Sequence, residues 1–474
     1  MRQRSRHTKI TFTLGPASAK PEVIEQILLC GGDVCRLNMA HADHDTVRRN
    51  VAMIREASKR TGREVAIMMD IKGPEIRTAA RKEALDLKIG DTLDMGVDPN
   101  CKEEDGISLA VVNYPLLVRD VPHGGLVLVD NGLIQLRVIE KRADRLRCRV
   151  EQPGKLGPTR RHVNLPGVKV ELPALTEKDL NDVAVGAEVG IDFIALSFCR
   201  EAADVEALRD VLNKLGSKAG IISKIEDQSA IANLDGIIKA SDALMVARGD
   251  LGIEVPYETL PLIQKRAVET CIRYHKPVIV ATHMLESMIE NPVPTRAEVT
   301  DVANAVFEQT DSVMLSGETA QGKHPLKCLE VMTKIAEKVE STRPLGLNSD
   351  VNIEEPKHKM MKAAAQLALD VGNSAIIAFT RNGAKLRLLA SLRPNGVPLF
   401  AFTDDITLAR QLRLVWGVEP MVMKFSVDPE QNVQEAIRQL RVNGWVHRND
   451  NLVIATNVIV GDRIVDSLQL RHVQ

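Results

Sequence analysis

Aromatic side chains are scarce in this chain: Phe, Trp and Tyr make up 3% of its 474 residues, so its cores must be built from Val, Ile, Leu, Ala and Met. Charge of one sign is lacking too. Sixty-two Lys and Arg nearly cancel 63 Asp and Glu, a net charge of -1, which argues against a long basic face for nucleic acid or an anionic membrane. Any positive charge used in function must be local. The seven cysteines (Cys30, Cys35, Cys101, Cys148, Cys199, Cys271 and Cys328) are odd in number and scattered, with no CxxC pair. A disulfide scaffold, a zinc knot and a thioredoxin motif are therefore excluded, and reduced thiols of a cytoplasmic protein are expected. No run approaches the ~18 apolar residues that cross a bilayer. The basic start is followed by a stretch broken by Thr11, Thr13, Gly15 and Pro16, unlike an export signal. Low-complexity segments and solenoid periods are also missing, which removes repeat architectures.

What is present is a rhythm of short aliphatic runs followed by longer amphipathic stretches. Eight runs recur, at residues 9–15 (KITFTLG), 33–39 (DVCRLNM), 64–71 (EVAIMMDI), 192–198 (DFIALSF), 219–226 (AGIISKIE), 243–250 (ALMVARGD), 277–285 (PVIVATHML) and 312–318 (SVMLSGE). Near-continuous apolar runs alternating with helical segments indicate parallel strands buried on both faces. Eight of them predict a closed (β/α)8 barrel. The third and fourth runs are separated by about 120 residues, so something is inserted. From 78 to 166 alternating segments with Gly turns predict an antiparallel β-barrel lid domain. The barrel then takes residues 1–77 and 167–340. Past a polar stretch, residues 341–474 return to helix and strand, predicting a C-terminal α/β domain.

Barrels of this class carry their sites at the carboxyl ends of the strands, and here those ends are loaded with polar residues. Arg36 and Asn38, Asp70 and Lys72, Lys224 and Glu226, and Ser316 and Glu318 are spaced by two, which puts each pair on one strand face and points charges of both signs at one mouth. Any single pair could be a structural ion pair plugging a barrel end. So many buried charges together are costly unless a metal or a charged ligand completes the set. Glu226 and Asp250 suit a hard divalent cation, Mg²⁺ above all, which takes one or two protein carboxylates and fills its remaining positions with water and substrate oxygens. Lys224 is then a cation aimed at whatever the metal holds, Arg36 and Arg77 supply forks that match phosphate, and residues 246–252 (VARGDLG) offer backbone N–H groups. The set describes phosphoryl transfer, in which positioning and charge stabilisation do most of the work.

The runs RLNMAHA from Arg36, MDIKGPEIR ending at Arg77, VNLPG from Val163, SKIE from Ser223, VARGDLGIE from Val246, ATHMLESM from Ala281, PTRAEVTDVANAV from Pro294 and SGETAQGKHP from Ser316 resemble the pyruvate kinase family throughout the barrel. No GxxxxGK[ST] loop is present, in keeping with a kinase that uses a barrel mouth. The resemblance implies transfer of the phosphoryl group of phosphoenolpyruvate to ADP, with Mg²⁺ (or Mn²⁺) and K⁺ as cofactors and a homotetrameric assembly. It implies Glu226 and Asp250 as Mg²⁺ ligands, Lys224 on the moving phosphoryl group, Arg36 on the substrate phosphate, and Ala247, Gly249 and Asp250 around the substrate carboxylate. Thr282 matches the threonine near the methylene that is protonated, through water. Asn38, His41 and Arg77 match nucleotide-side positions, and Arg161 the lid's phosphate contact.

The resemblance has departures. Of four positions around potassium, Asn38 and Asp70 match, Ile71 can offer only its carbonyl where the family has Thr, and Ala40 lacks the usual serine hydroxyl. His283 stands where a glutamine is expected, and Arg161 and His162 replace a lysine and a glycine. The effector loop of the family aligns with Thr380, Asn382, Gly383 and Lys385, with two hydroxyls lost, and the glycine-threonine loop that would hold a second phosphate reads VGDRIVD from Val460. A monophosphate effector, or none, is expected in place of fructose 1,6-bisphosphate. Two other readings remain. A barrel lyase or mutase acting on an enolpyruvate-like substrate would share the metal but not need the lid or Arg77; a silent paralogue would not need Arg36, Lys224, Glu226, Asp250 and Thr282 all retained.

Overall fold

A computed structural model of the chain describes residues 6–342, 345–348, 350–460 and 463–474. Its strands, in chain order, are β1 (Lys9–Thr13), β2 (Val34–Asn38) and β3 (Ala66–Asp70), followed by a group between barrel strands: β4 (Leu85–Leu87), β5 (Thr92–Gly96), β6 (Ser108–Val111), β7 (Leu126–Val129), β8 (Ile134–Lys141), β9 (Arg145–Gln152), β10 (Gly154–Leu156) and β11 (Val163–Asn164). Then come β12 (Phe193–Leu196), β13 (Gly220–Ile225), β14 (Ala243–Ala247), β15 (Val278–Ala281) and β16 (Ser312–Leu315). The chain ends with β17 (Ser374–Phe379), β18 (Leu399–Thr403), β19 (Val418–Val422), β20 (Asn451–Val460) and β21 (Arg463–His472). All eight apolar runs of the sequence fall on strands of one closed parallel barrel, in the order β1-β16-β15-β14-β13-β12-β3-β2.

Alternation sorts the barrel side chains into two cores. Val34, Ala66, Met68, Ala195, Ile222, Ala243, Met245, Ile279, Ala281 and Met314 fill the barrel as one cluster, while the residues between them, such as Cys35, Ile67, Ile221 and Leu244, pack outward against helices. Small and medium side chains suffice inside the barrel, which is why so few aromatics are needed. At the amino ends of the strands a recurrent aspartate explains part of the sequence rhythm. Asp33, Asp192, Asp242 and Asp311 each precede a strand and accept a neighbouring strand's N–H, from Ile10 (3.0 Å), Ile67 (2.7 Å), Ile221 (2.9 Å) and Val278 (3.1 Å). Each also meets an arginine: Arg6, Arg55, Arg209 and Arg393 respectively.

The group between β3 and β12 has its own apolar core, centred on Met95, Val127, Leu136 and Cys148. Its six-stranded sheet runs β11-β7-β8-β9-β5-β6, with β10 and β4 paired apart. One detail differs from an antiparallel barrel. β5 and β6 pair in parallel, which the long connection over 97–107 makes possible, while residues 76–79 pair with both edges, Thr78 N donating to Arg161 O (2.8 Å) and Ala79 N to Val111 O (2.7 Å), and so close the sheet. The last sheet, β19-β18-β17-β20-β21, is parallel except for its final pair. It docks on the barrel floor, where Lys9 Nζ donates to Val418 O (2.5 Å) and Leu414 joins the barrel-filling cluster. No described helix is long and apolar enough to cross a membrane.

Candidate active site

The mouth is built where the inward positions of neighbouring strands turn from apolar to charged. On β13 the inward series runs Ile222, Lys224, then Glu226 just past the strand; on β3 it runs Ala66, Met68, Asp70; on β2, Val34, Arg36, Asn38. The register sets Asn38 opposite Asp70. Lys224, only 9% exposed, reaches Glu226 Oε1 at 2.8 Å and Asp70 Oδ1 at 3.2 Å and donates to Ser197 Oγ at 2.8 Å. Arg36 grips Asp70 Oδ2 through Nε (2.7 Å) and Nη2 (2.6 Å). Arginine, aspartate, lysine and glutamate thus form a continuous alternating chain across three strands.

Electrostatics follow from that order. Burial works against Lys224's charge, but Asp70 and Glu226 outweigh it and hold the ammonium above its usual range. Burial would raise the Asp70 carboxyl, yet Lys224 and Arg36 pull it below its ordinary value. Glu226 goes the other way: burial pushes it up to about 7, Lys224 offsets part of this, and the negative charge of Asp250 adds to it. The second Glu226 oxygen accepts from Phe198 N (2.7 Å). Two carboxylates whose charges oppose each other beside one lysine form a site short of positive charge.

On the other side of the mouth β14 ends at Ala247 and a short helix, Arg248–Glu254, begins, putting Gly249 and Asp250 in its first turn. Gly249 N donates to Thr282 Oγ1 (2.7 Å), which itself donates to Ala281 O (2.7 Å). Thr282 and His283 adopt left-handed backbone (φ 68° and 57°), a strained turn for non-glycine residues. Arg248 holds that turn: Nε donates to Ala281 O (3.1 Å), Nη2 to Thr282 O (2.7 Å), and Nη1 and Nη2 to Asp301 (2.6 and 2.7 Å).

The remaining expected residues divide. Arg77 and Lys72 both bind Glu75 Oε2 (2.6 and 3.0 Å), and Arg77 pairs through its backbone with His162 of the lid. Arg161 meets Asp130 Oδ1 at 3.2 Å, within the lid itself. His41 is exposed and so is His283, 3.6 Å from Glu286. Two of the four spaced pairs do not aim jointly at the mouth. Lys72 lies beyond the end of β3, where alternation stops, and turns to Glu75; Glu318 is buried and accepts from Ser316 N (2.7 Å) and Leu285 N (3.0 Å), fixing two loops. Ser197, Arg248 and Asp301 are additions. Ser197, placed two residues past the inward Ala195, could have been found by continuing the period; the Arg248–Asp301 pair, 53 positions apart, could not.

Donor chemistry fits a divalent cation at Glu226 and Asp250. Among the described residues no group of three or more His, Cys, Asp or Glu gathers as a metal cage, so an ion there would draw its other oxygens from water and substrate, the habit of Mg²⁺. The expected monovalent set is oxygen-only as well, but each member already accepts a hydrogen bond: Asn38 Oδ1 from Ala40 N (3.1 Å), Ile71 O from Ser197 Oγ (2.7 Å), and Asp70 from Arg36. In the last domain Thr380 Oγ1 accepts from Gly383 N (2.8 Å), Asn382 Oδ1 from Ala384 N (3.1 Å), and Lys385 meets Asp466 at 3.0 Å. A cavity of about 410 Å³ adjoins this loop. Of the expected second-phosphate loop, Gly461 and Asp462 lie outside the described residues.

Two family models match the chain: "Pyruvate kinase, barrel domain" over residues 5–329 and "Pyruvate kinase, alpha/beta domain" over 358–468. A pyruvate kinase of Sporosarcina psychrophila is 41% identical across 99% of this chain and 80% of its own length, and one of Geobacillus stearothermophilus is 41% identical over the same shares. The solved structure of a pyruvate kinase from Cryptosporidium parvum superposes with a TM-score of 0.93 at 33% identity, covering 99% of this chain and 97% of that one.

Proposed function

The chain belongs to the pyruvate kinase family and is a phosphotransferase with that activity, and we propose that Arg36, Lys224 and Thr282 carry its chemistry on phosphoenolpyruvate and ADP. The observation that supports this most is Lys224 Nζ, fixed at 2.8–3.2 Å from Glu226, Asp70 and Ser197, so that its three protons are already oriented and its charge is secured. A phosphoryl group in flight spreads charge over its equatorial oxygens, and a preset cation stabilises that state more than the ground state. Arg36, held by Asp70, offers its remaining guanidinium edge to the substrate phosphate. In the first turn after Ala247 the Asp250 N–H would meet the substrate carboxylate, joined by the Gly249 N–H once substrate displaces its bond to Thr282 Oγ1. Thr282 orders a water for proton delivery to the enolate methylene, since a threonine hydroxyl is a poor acid by itself. Asn38, His41 and Arg77 form the nucleotide side, and the lid with Arg161 closes over the mouth to exclude water.

Mg²⁺ or Mn²⁺ held by Glu226 and Asp250 would supply Lewis-acid stabilisation of phosphoryl and enolate oxygens. K⁺ would take Asn38, Asp70 and the Ile71 carbonyl, one oxygen short because Ala40 has no hydroxyl. Potassium activation of weakened affinity is therefore expected, and Ala40→Ser should lower the K⁺ needed for half activation; full activity in tetramethylammonium without K⁺ would contradict this. In the C-terminal loop Lys385 is paired with Asp466 at 3.0 Å. That supports a monophosphate effector, or none, over fructose 1,6-bisphosphate. A several-fold leftward shift of the phosphoenolpyruvate curve by the bisphosphate alone would sink it. The assembly is a homotetramer and the location cytoplasmic, the first checkable by sedimentation. The assay that tests the whole reading couples pyruvate formation to lactate dehydrogenase with phosphoenolpyruvate, ADP, Mg²⁺ and K⁺. Turnover that survives removal of Mg²⁺, or its absence under all these conditions, overturns it.

A further inference from the structure

The aspartates under the barrel are not equally balanced. Asp33, Asp192 and Asp311 each sit against an arginine at 2.7–3.1 Å. Asp242 meets Arg209 at 3.3 Å and accepts from Ile221 N, so it too is engaged, yet two further cations stand in its field that pair with no carboxylate among the described residues. Among the described residues the side chain of Arg387, half-buried, donates only to Asn382 O (2.7 Å), and that of Lys276, also half-buried, only to Ser241 O (2.5 Å). Both are affected by their surroundings. Burial lowers each below its usual range, Asp242 offsets part of this for both, and Arg387 and Arg209 push Lys276 further down. These groups border a cavity of about 220 Å³ between the barrel floor and the C-terminal sheet, lined by Arg209, Lys218, Asp242 and Arg387, with Lys276 beside its Pro277 wall.

We propose that this junction is a binding site for a small phosphate monoester, held by the Arg387 fork with Arg209 and Lys276. Charge counting points to that class. Along the cavity lining Arg209, Lys218 and Arg387 bring three positive charges and Asp242 one negative one; Lys276, Asp405 (2.9 Å from Lys218) and Glu206 (3.9 Å from Arg209) lie outside the lining. The surplus of two matches a phosphate monoester, which carries about −1.5 to −2 at neutral pH, better than a monocarboxylate. A planar guanidinium without an ion-pair partner is suited to bidentate phosphate contact. The site lies at the amino ends of β12–β15, opposite the catalytic mouth, and is separate from the cavity lined by Thr380 and Lys385. It is linked to that loop by Arg387, whose Nη2 donates to Asn382 O and whose backbone N donates to Gly383 O (3.0 Å).

Calorimetric titration of the full chain with glycerol 3-phosphate tests the assignment, with inorganic phosphate as the second probe. Wild type should bind saturably at millimolar concentration or below. Arg387→Met should weaken binding about tenfold or more, the loss expected for a charge-assisted bidentate contact. Arg387→Lys should restore part of it, and Lys385→Met should leave this event in place. Lys276→Met is the second variant should Arg387→Met fail to fold, and it should weaken binding in the same sense. Absence of saturable binding to wild type, or binding that Lys385→Met abolishes while Arg387→Met and Lys276→Met leave it intact, overturns the proposal.

Discussion

A single buried lysine joins the two halves of the catalytic mouth. Removing it as Lys224→Met leaves Asp70 and Glu226 facing each other at 2% and 1% exposure with only Arg36 nearby. Turnover should fall by at least roughly a hundredfold with KM little changed, because the lost charge acts on the transition state. The fold should also lose about 3–5 kcal/mol, as for other broken buried pairs, unless substrate and metal are present. Steady-state kinetics and denaturant melts read the two effects separately; near-normal turnover would remove Lys224 from the chemistry. Arg248 makes a different case. It touches no reacting group but holds the strained turn at Thr282 and His283 through three carbonyl and carboxylate partners. Arg248→Lys keeps the charge and loses the fork, so kcat should drop roughly tenfold to a hundredfold by misplacing Thr282, with the Mg²⁺ requirement unmoved.

Between elements, the contact of the lid with the barrel carries a pH dependence. Asn164 on β11 donates to Glu254 Oε1 (2.7 Å) at the end of the helix that starts at Arg248, and burial pushes Glu254 up to about 7. A carboxyl raised in the folded state binds its proton more tightly there than in the unfolded chain. Its contribution is therefore complete below about pH 4.5 and is lost as pH rises through 7. Glu254→Gln keeps the shape without the proton, so the melting temperature of the variant should gain on wild type steadily from pH 5 to 8. Differential scanning fluorimetry across that range checks it, and a constant difference would place the titration elsewhere.

At the scale of the whole molecule, the barrel and the C-terminal sheet are joined through Asp311. Its carboxylate meets Arg393 at 2.9 Å with both side chains nearly inaccessible, and accepts from Trp416 N at 3.0 Å as well as from Val278 N. Asp311→Ala would leave the buried Arg393 charge without its carboxylate, hydrogen-bonded only to the Ala390 and Gln309 carbonyls among the described residues. A loss of about 3–5 kcal/mol is expected, together with separation of one unfolding transition into two. Calorimetry that still shows a single transition at the wild-type temperature would refute this.

Local pattern in the chain was enough to place the eight barrel strands, the insertion between the third and fourth, and most of the charged residues at the mouth. The reason is local: a strand buried on both faces must be apolar throughout, and a period of two fixes which late residues face inward, as Lys224 and Asp70 do. Where the strand stops, that rule stops. Lys72 turned to Glu75 and Glu318 to backbone N–H groups, because loop conformation and not alternation aims them. It took the packed fold to bring Arg248 to Asp301, Asn164 to Glu254 and Arg387 near Asp242 beneath β14, since those residues are separated by 53 to 145 positions and meet through packing that no local pattern encodes.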